Sequence, residues 1–508
     1  MRTNNSVKNA IIAIVMNIVT ILIGFISQKV FINTLGTEYL GLNGLLTNVI
    51  SMLGIIELGL GSAIIYNLYK PIAENNKEQV KSLILFYKTS YRIIAIIISI
   101  IGLLIIPFLH LIIGETSIKE NINLIYILFL VDIVFSYLLT YKRSILYADQ
   151  KTYIINIIHI IYILLLNIIQ ILILYITQNY ILYLIVKIIF RILENVIITL
   201  IANNKYKYIK DKEIQKLDKN TKKDIYTKIK GLIYHKIGAV VVLGTDNIII
   251  SKFLGITTVG LYSNYNLIIQ ALNNLFSQMF SSITASVGSL LIENDTEKSY
   301  KIYINMLFLN SWIFAFASAG LICIIEPFIK VWIGEQYILT FAVLLVLVIN
   351  FYIQGIRKTS NTFKEAAGIF YEDRHVPVLE SIINIIASVI LVNILGLAGV
   401  FIGTIISTFI IFFYSYPKFV YKPLFKRTYI QYLKDYVPYV LVAIISVTIT
   451  YVIVNSINLQ NEILQIIINI ILVIIIPNII HIILFFKTEE FKYYKDIIIN
   501  NLKNKYVN

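Results

Sequence analysis

Cysteine is nearly absent from this sequence. Cys323 stands alone among 508 residues, which excludes an intramolecular disulfide and any metal site built on several thiolates. Charge is scarce too: Asp, Glu, Lys and Arg make up 14% of the chain, whereas a soluble domain carries about 25%. Hydrophobic residues reach 58% and the mean hydropathy is +0.81, the composition of an integral membrane protein. The 28 acidic residues are outnumbered by 43 basic ones, a net charge of +15. A membrane protein keeps its lysines and arginines in cytoplasmic loops, and the surplus of Ile, Asn, Lys and Tyr fits an AT-rich coding bias, so nucleic acid is not an expected partner.

Further absences narrow the function. No G-x-x-x-x-G-K-[ST] occurs, which excludes nucleotide hydrolysis through a P-loop. No D-x-D occurs, and the expected outer loops are too short for a catalytic domain, which argues against a glycosyltransferase, polymerase or ligase. The five histidines are scattered, without the spacing of a metal site. The first apolar run, roughly 10 to 32, has the length of a span and no small-residue cleavage site, so it reads as a first transmembrane helix rather than a signal peptide.

Apolar segments of about 20 residues recur along the chain, and about fourteen are expected to span the membrane as helices. They run roughly 10–33, 42–66, 83–113, 122–147, 153–177, 180–203, 232–254, 260–290, 303–326, 338–358, 376–395, 397–416, 437–455 and 463–486. Solid runs such as IIAIIISIIGLLIIPFLHLII are incompatible with the strict alternation of a β-barrel. With the N-terminus inside, only Lys119, Lys252 and Lys330 fall in outer loops. Lys29, Lys88, Arg92, Lys187 and Arg191 fall within spans, and the other lysines and arginines lie in inner loops, in tails or at the inner ends of spans. Both termini are therefore expected on the cytoplasmic side. The longest inner loop, NNKYKYIKDKEIQKLDKNTKKDIYTKIKG, reads as a solvated basic loop or as an interfacial segment holding anionic headgroups.

Shifting the chain by 219 positions superposes Leu35-Gly36 on Leu254-Gly255 and Gly41-Leu42 on Gly260-Leu261. Six spans precede each return to the same side, so the two sets share orientation around an axis along the membrane normal. The expected fold is an all-α polytopic membrane protein of two six-helix bundles plus two further helices. Residues 1–203 form the first bundle, 204–231 a basic loop, 232–416 the second bundle, and 417–508 two helices and a tail.

Charges inside spans carry the functional signal, because a carboxylate at mid-bilayer costs about 2.5–3.5 kcal/mol and needs water, a partner or a substrate. Glu57, Asp132 and Asp246 are such carboxylates. Lys187 and Arg191 lie four apart on one helical face with Glu194 three further on, so they either pair with Glu194 or bind an anionic headgroup. Arg357, Lys358 and Lys364 pose the same choice near an inner helix end. Gly54, Gly59 and Gly61 read as helix-packing residues, and His159 as a hydrogen-bonded core residue.

Three stretches resemble a known family: LGTEYLGLNGLLTNVISMLGIIELGLGSAIIYNLYKPIAENN, TDNIIISKFLGITTVGLYSNYNLI and AAGIFYEDRHVPVLESIINIIASVILVNILGLAGVFIGTIIS. They look like Wzx-type polysaccharide repeat-unit flippases of the multidrug/oligosaccharidyl-lipid/polysaccharide exporter superfamily. The resemblance implies a V-shaped, MATE-like pair of bundles working by alternating access in a bacterial cytoplasmic membrane. It implies no enzyme activity, and a substrate consisting of an oligosaccharide on a polyprenyl pyrophosphate. Lys187, Arg191, Arg357 and Lys364 would then receive the pyrophosphate and Asn43 and Asn264 the sugar, while Glu57, Asp132 and Asp246 would gate or couple. No cofactor or metal is expected beyond a coupling Na⁺ or H⁺, if transport is coupled. Membrane lipids and a polysaccharide polymerase are the implied partners. A cation-coupled drug or metabolite antiporter of the same fold is the alternative.

Overall fold

The computed structural model describes residues 2–57, 60–210, 217, 221–223, 225, 244–293 and 295–507. These residues are helical, with no strand among them, and the chain divides into two compact units, Met1–Ser263 and Asn264–Asn508. The first unit holds α1 (Arg2–Leu35), α2 (Thr37–Leu53), α3 (Leu60–Ala73), α4 (Lys77–Ile105), α5 (Leu109–Ile113), α6 (Ile122–Leu138), α7 (Arg143–Ala148), α8 (Thr152–Thr177) and α9 (Tyr180–Lys205). It also includes α10, helical over 244–254, and the first turns of α11 (Ile256–Ile292). The second unit continues with α12 (Thr296–Trp332), α13 (Phe341–Ala366), α14 (Val376–Leu395) and α15 (Leu397–Ile410), which runs on as a π-helix over Ile411–Tyr421. It closes with α16 (Lys422–Phe425), α17 (Tyr429–Asn455), α18 (Glu462–Phe485) and α19 (Glu489–Val507).

The burial pattern is that of a protein whose solvent is hydrocarbon. On α4, Ile96, Ile100 and Leu104 recur every fourth residue with 58%, 55% and 65% of their surface exposed. Asn310, Thr359, Ser360, Asn384, Ser407 and Ser446 are fully buried. Lipid offers a polar side chain no hydrogen bond, so such groups turn inward, and most of them bond to backbone carbonyls or to other buried side chains. In the second unit Tyr303, Ser360 and Tyr436 form a closed triangle of hydroxyls at 2.6, 2.8 and 2.6 Å.

Twelve helices among the described residues are long and apolar enough to cross a membrane, where about fourteen were expected. Two expected spans account for the difference. Helix α9 carries Lys187, Arg191 and Glu194 and is too charged to count by composition, and only residues 244–254 of the expected span 232–254 are described. Three spans expected as single helices are interrupted, one of them, 122–147, by a 3₁₀ turn over Thr140–Lys142 between α6 and α7. The segment 42–66 breaks after Leu53 into a 3₁₀ turn over Gly54–Glu57, and α3 resumes at Leu60. The segment 83–113 breaks at a 3₁₀ turn over Ile106–Phe108, where Pro107 has no N–H for the helical ladder.

The shift of 219 positions recurs in the element boundaries. Helices beginning at Thr37, Lys77 and Ile122 have counterparts beginning at Ile256, Thr296 and Phe341. The glycines that precede the first pair, Gly36 and Gly255, both adopt positive φ, +92° and +84°, a conformation that favours glycine.

Candidate functional site

Four of the in-membrane charges of the first unit, Asp132, Lys187, Arg191 and Glu194, gather where α6, α7, α8 and α9 meet. Asp132 comes from the middle of α6. Lys187, Arg191, Glu194 and Asn195 follow one face of α9, Arg143 opens α7, and His159 and Tyr162 lie on α8. Asp132 stands between two cations: Oδ2 is 3.4 Å from Lys187 Nζ, and Oδ1 accepts from Arg191 Nε at 3.3 Å. Glu194, whose side chain has no exposed surface, faces three partners. Its Oε2 is 3.2 Å from Arg143 Nη2 and accepts from Arg191 Nη1 at 3.4 Å, and its Oε1 is 2.9 Å from His159 Nδ1.

Arg143 also donates through Nη2 to Asn195 Oδ1 at 2.7 Å, while its Nε is buried without a hydrogen-bond partner among the described residues. Aromatic rings support the cations: Lys187 lies 5.0 Å from the centre of the Phe129 ring and Arg191 lies 5.3 Å from that of Tyr162. Such contacts are worth about 0.5–2 kcal/mol, with the larger values in desolvated sites. Three guanidinium or ammonium groups thus face two carboxylates, an excess of one positive charge among these five groups.

Part of this network was visible in the sequence. Lys187, Arg191 and Asp132 come together, and Arg191 pairs with Glu194 as the i,i+3 spacing allows. Lys187 does not pair with Glu194 but reaches across to Asp132 on another helix. Arg143 was missed, because the break between α6 and α7 carries it inward from a position that reads as a helix end. His159 is hydrogen-bonded to Glu194 and stacked on Tyr162, with ring centroids 5.5 Å apart.

Glu57 belongs to a different group. It sits in the 3₁₀ turn after α2, accepts from Tyr91 Oη at 3.0 Å, and shares its carboxylate with the Tyr137 hydroxyl. Tyr91 and Tyr137 stack with centroids 6.1 Å apart. A Cβ on Gly61 would stand 2.7 Å from Glu57 Oε1, and one on Gly54 would stand 3.4 Å from Tyr137 Oη. Gly61 leaves room for the carboxylate and for Tyr91 of the neighbouring α4, whereas a Cβ on Gly54 would meet Tyr137 of α6 at ordinary contact distance. Gly59 lies outside the described residues.

Asp246 on α10 has its Oδ1 buried without a hydrogen-bond partner among the described residues. Asn43 accepts from Tyr180 Oη at 3.3 Å, and Asn264 is fully buried. Beyond the end of α9, Tyr206 donates to Asp149 at 2.5 Å, and burial together with that carboxylate pushes its hydroxyl well above the ordinary range.

In the second unit the expected phosphate ligands are held by carboxylates. Arg357 donates to both oxygens of Glu380, at 2.8 and 3.4 Å, and to Gln354 Oε1 at 2.8 Å. Lys364 pairs with the buried Asp373, whose Oδ2 also accepts from Ser415 at 3.1 Å. Lys358 donates to Ser277 Oγ at 2.5 Å. The π-helix supplies Ser415 and Tyr416 to these two clusters, since Tyr416 meets Arg357 and donates to Asn361 at 3.0 Å. Most of the long basic loop lies outside the described residues.

A family profile described as "Polysaccharide biosynthesis protein" matches residues 6–286, more than half of the chain. The chain belongs to that family. Among solved structures it is similar to the lipid II flippase MurJ in an inward closed conformation, with TM-score 0.65 and 18% identity over 96% of this chain and 99% of that one. It is also similar to an inward-facing multidrug resistance MATE transporter, with TM-score 0.60 and 15% identity over 79% and 95% of the two chains. The outward-facing conformation of a MATE family transporter matches at TM-score 0.52 and 15% identity, over 80% and 93%. A search of curated protein sequences finds no match. Family and fold together define a multi-pass membrane protein of the polysaccharide-biosynthesis family with the fold shared by MurJ and the MATE transporters.

Proposed function

We propose that the chain moves polyprenyl-pyrophosphate-linked oligosaccharide repeat units from the inner to the outer face of a bacterial cytoplasmic membrane by alternating access, for surface polysaccharide synthesis. The carrying observation is the cationic network of Lys187, Arg191 and Arg143, which places an excess positive charge inside a membrane-embedded unit. An isolated excess charge there is costly. It is repaid when an anion arrives, and a pyrophosphate offers several charged oxygens to guanidinium and ammonium donors. The polysaccharide-biosynthesis family and the similarity to a lipid II flippase support a lipid-linked anionic substrate.

On this reading residues 1–203 and 232–416 are the two rocking bundles, with both termini cytoplasmic. Arg357 and Lys364 are further cations for the substrate, and Asn43 and Asn264 are hydrogen-bonding groups for its sugars. Glu57 and Asp246 gate the switch or carry a coupling Na⁺ or H⁺, and a polysaccharide polymerase consumes the product. The unpartnered oxygen of Asp246 is the observation that favours cation coupling.

Deleting the gene in its host, while following surface polymer and lipid-linked intermediates, tests the proposal. Loss of polymer with single repeat units trapped on the inner leaflet is the expected result. Normal polymer with altered sensitivity to cationic drugs would instead identify a drug antiporter of the same fold.

A further inference from the structure

We propose that Asp132 is a built-in stand-in for phosphate: its carboxylate occupies, in the substrate-free molecule, the place that one phosphate of the substrate takes between Lys187 and Arg191. This inference rests on the reading of those two cations as part of the pyrophosphate site, and it adds how the site is kept ready and how it is emptied.

The two carboxylates of the network are not equivalent. Glu194 has no exposed side-chain surface and three partners, so it is a fixed member of the interior. Asp132 retains 13% of its side-chain surface, and its cations Lys187 and Arg191 retain 27% and 24%. Its two contacts, at 3.4 and 3.3 Å, are longer than the roughly 2.7–2.9 Å of a tight charge-assisted hydrogen bond. Asp132 is therefore the accessible and loosely held anion of the pair.

Each cation keeps a contact besides Asp132. Arg191 lies 3.4 Å from Glu194 and against the Tyr162 ring, while Lys187 lies against the Phe129 ring. Removing the carboxylate leaves a preformed pair of donors. An arriving phosphate brings more charge and more acceptor oxygens than a carboxylate, so it wins the exchange. Asp132 then stands beside a bound anion and repels it, which favours release once the site opens on the other face. Without Asp132 the site would bind its anion more tightly and give it up more slowly.

The test uses the purified full-length chain in detergent, with inorganic pyrophosphate and farnesyl pyrophosphate as probes, and in parallel the rate of repeat-unit export in cells. Asp132→Asn and Asp132→Ser are expected to bind both probes about tenfold more tightly than the parent chain while exporting more slowly. Asp132→Glu should restore parental affinity and rate. Lys187→Gln combined with Arg191→Gln should lose binding by tenfold or more.

If binding depends on Lys187 and Arg191 but both Asp132 variants that fold bind no more tightly than the parent, the stand-in role is wrong and the pyrophosphate site survives. If the parent binds the probes equally well without Lys187 and Arg191, the site reading falls and the stand-in role falls with it. A purely structural Asp132 would lower stability in its variants and leave the affinity of the folded fraction unchanged.

Discussion

Gly41 of α2 and Gly260 of α11 meet backbone to backbone. A Cβ on Gly41 would stand 2.0 Å from the carbonyl oxygen of Ile256, and a Cβ on Gly260 would stand 2.1 Å from that of Thr37. The contact is reciprocal in the sense of the internal repeat, because Thr37 and Ile256 are related by the same shift as Gly41 and Gly260. Each glycine leaves room for the carbonyl at the start of the other's helix.

An alanine at either position must push the two backbones apart, and such overpacking typically costs about 1–3 kcal/mol. Gly41→Ala and Gly260→Ala are each expected to lower the unfolding temperature of the purified chain. The double variant should cost less than the sum of the singles, since the first methyl already opens the contact the second would strain. Strictly additive losses would show that the two glycines do not share one contact.

One turn further along, a Cβ on Gly44 would lie 2.9 Å from Ser263 Oγ, a separation compatible with a disulfide. Cysteines introduced at 44 and 263 should cross-link on mild oxidation, read as loss of thiol labelling. The native Cys323 is buried and should not interfere. If transport requires α2 and α11 to separate, export stops on oxidation and returns with reductant; undiminished export by the cross-linked chain would show that this contact stays closed throughout the cycle.

Glu194→Gln is expected to destabilise the first unit far more than Asp132→Asn. Removing one member of a fully buried ion pair typically costs about 3–5 kcal/mol, because its partner is left charged and unpaired. Asp132 keeps 13% of its side-chain surface exposed, and its cations keep other contacts. Thermal unfolding of both variants checks the order, and equal losses would contradict the distinction between a fixed and an exchangeable carboxylate.

Gly61→Ala and Tyr91→Phe both disturb the setting of Glu57, the first by placing a methyl 2.7 Å from its carboxylate oxygen and the second by removing a donor. If Glu57 couples transport, both change the pH or sodium dependence of export, and Glu57→Gln abolishes that dependence. An unchanged profile in Glu57→Gln would remove the coupling role.

Arg357→Lys should behave as a damaging substitution despite the conserved charge. A lysine ammonium cannot reproduce a fork that reaches both oxygens of Glu380 and the Gln354 amide at once. Lower stability than the parent, comparable with Arg357→Gln, is the expected outcome of denaturation measurements.

The sequence and the structure agree best where a signal is local. Hydropathic length places the helices, and the offset of Gly36 and Gly41 against Gly255 and Gly260 already reveals the repeat. Lys187, Arg191 and Asp132 stand out because charge inside an apolar run is expensive wherever the chain folds. What could not be read was which charge meets which. Lys187 finds Asp132 only because α6 and α9 pack together, and Arg143 turns inward only because the helix breaks just before it. The tyrosines around Glu57 look like ordinary membrane aromatics until the turn at Gly54 brings the carboxylate to them. The π-helix that delivers Ser415 and Tyr416 has no hydropathic signature, since it differs from an α-helix in winding and not in composition.

The shift of 219 relates the starts of three helix pairs, Thr37 to Ile256, Lys77 to Thr296 and Ile122 to Phe341. Carried along it, Glu57 falls on Phe276 and Asp132 on Phe351, while Arg357 falls back on Leu138. The backbone has been copied, but the ionic groups have not. A carrier built from two identical halves would offer a traveller the same foothold twice. Here a duplicated frame bears unlike chemistry in its two copies, so each half can be assigned a separate task within one cycle.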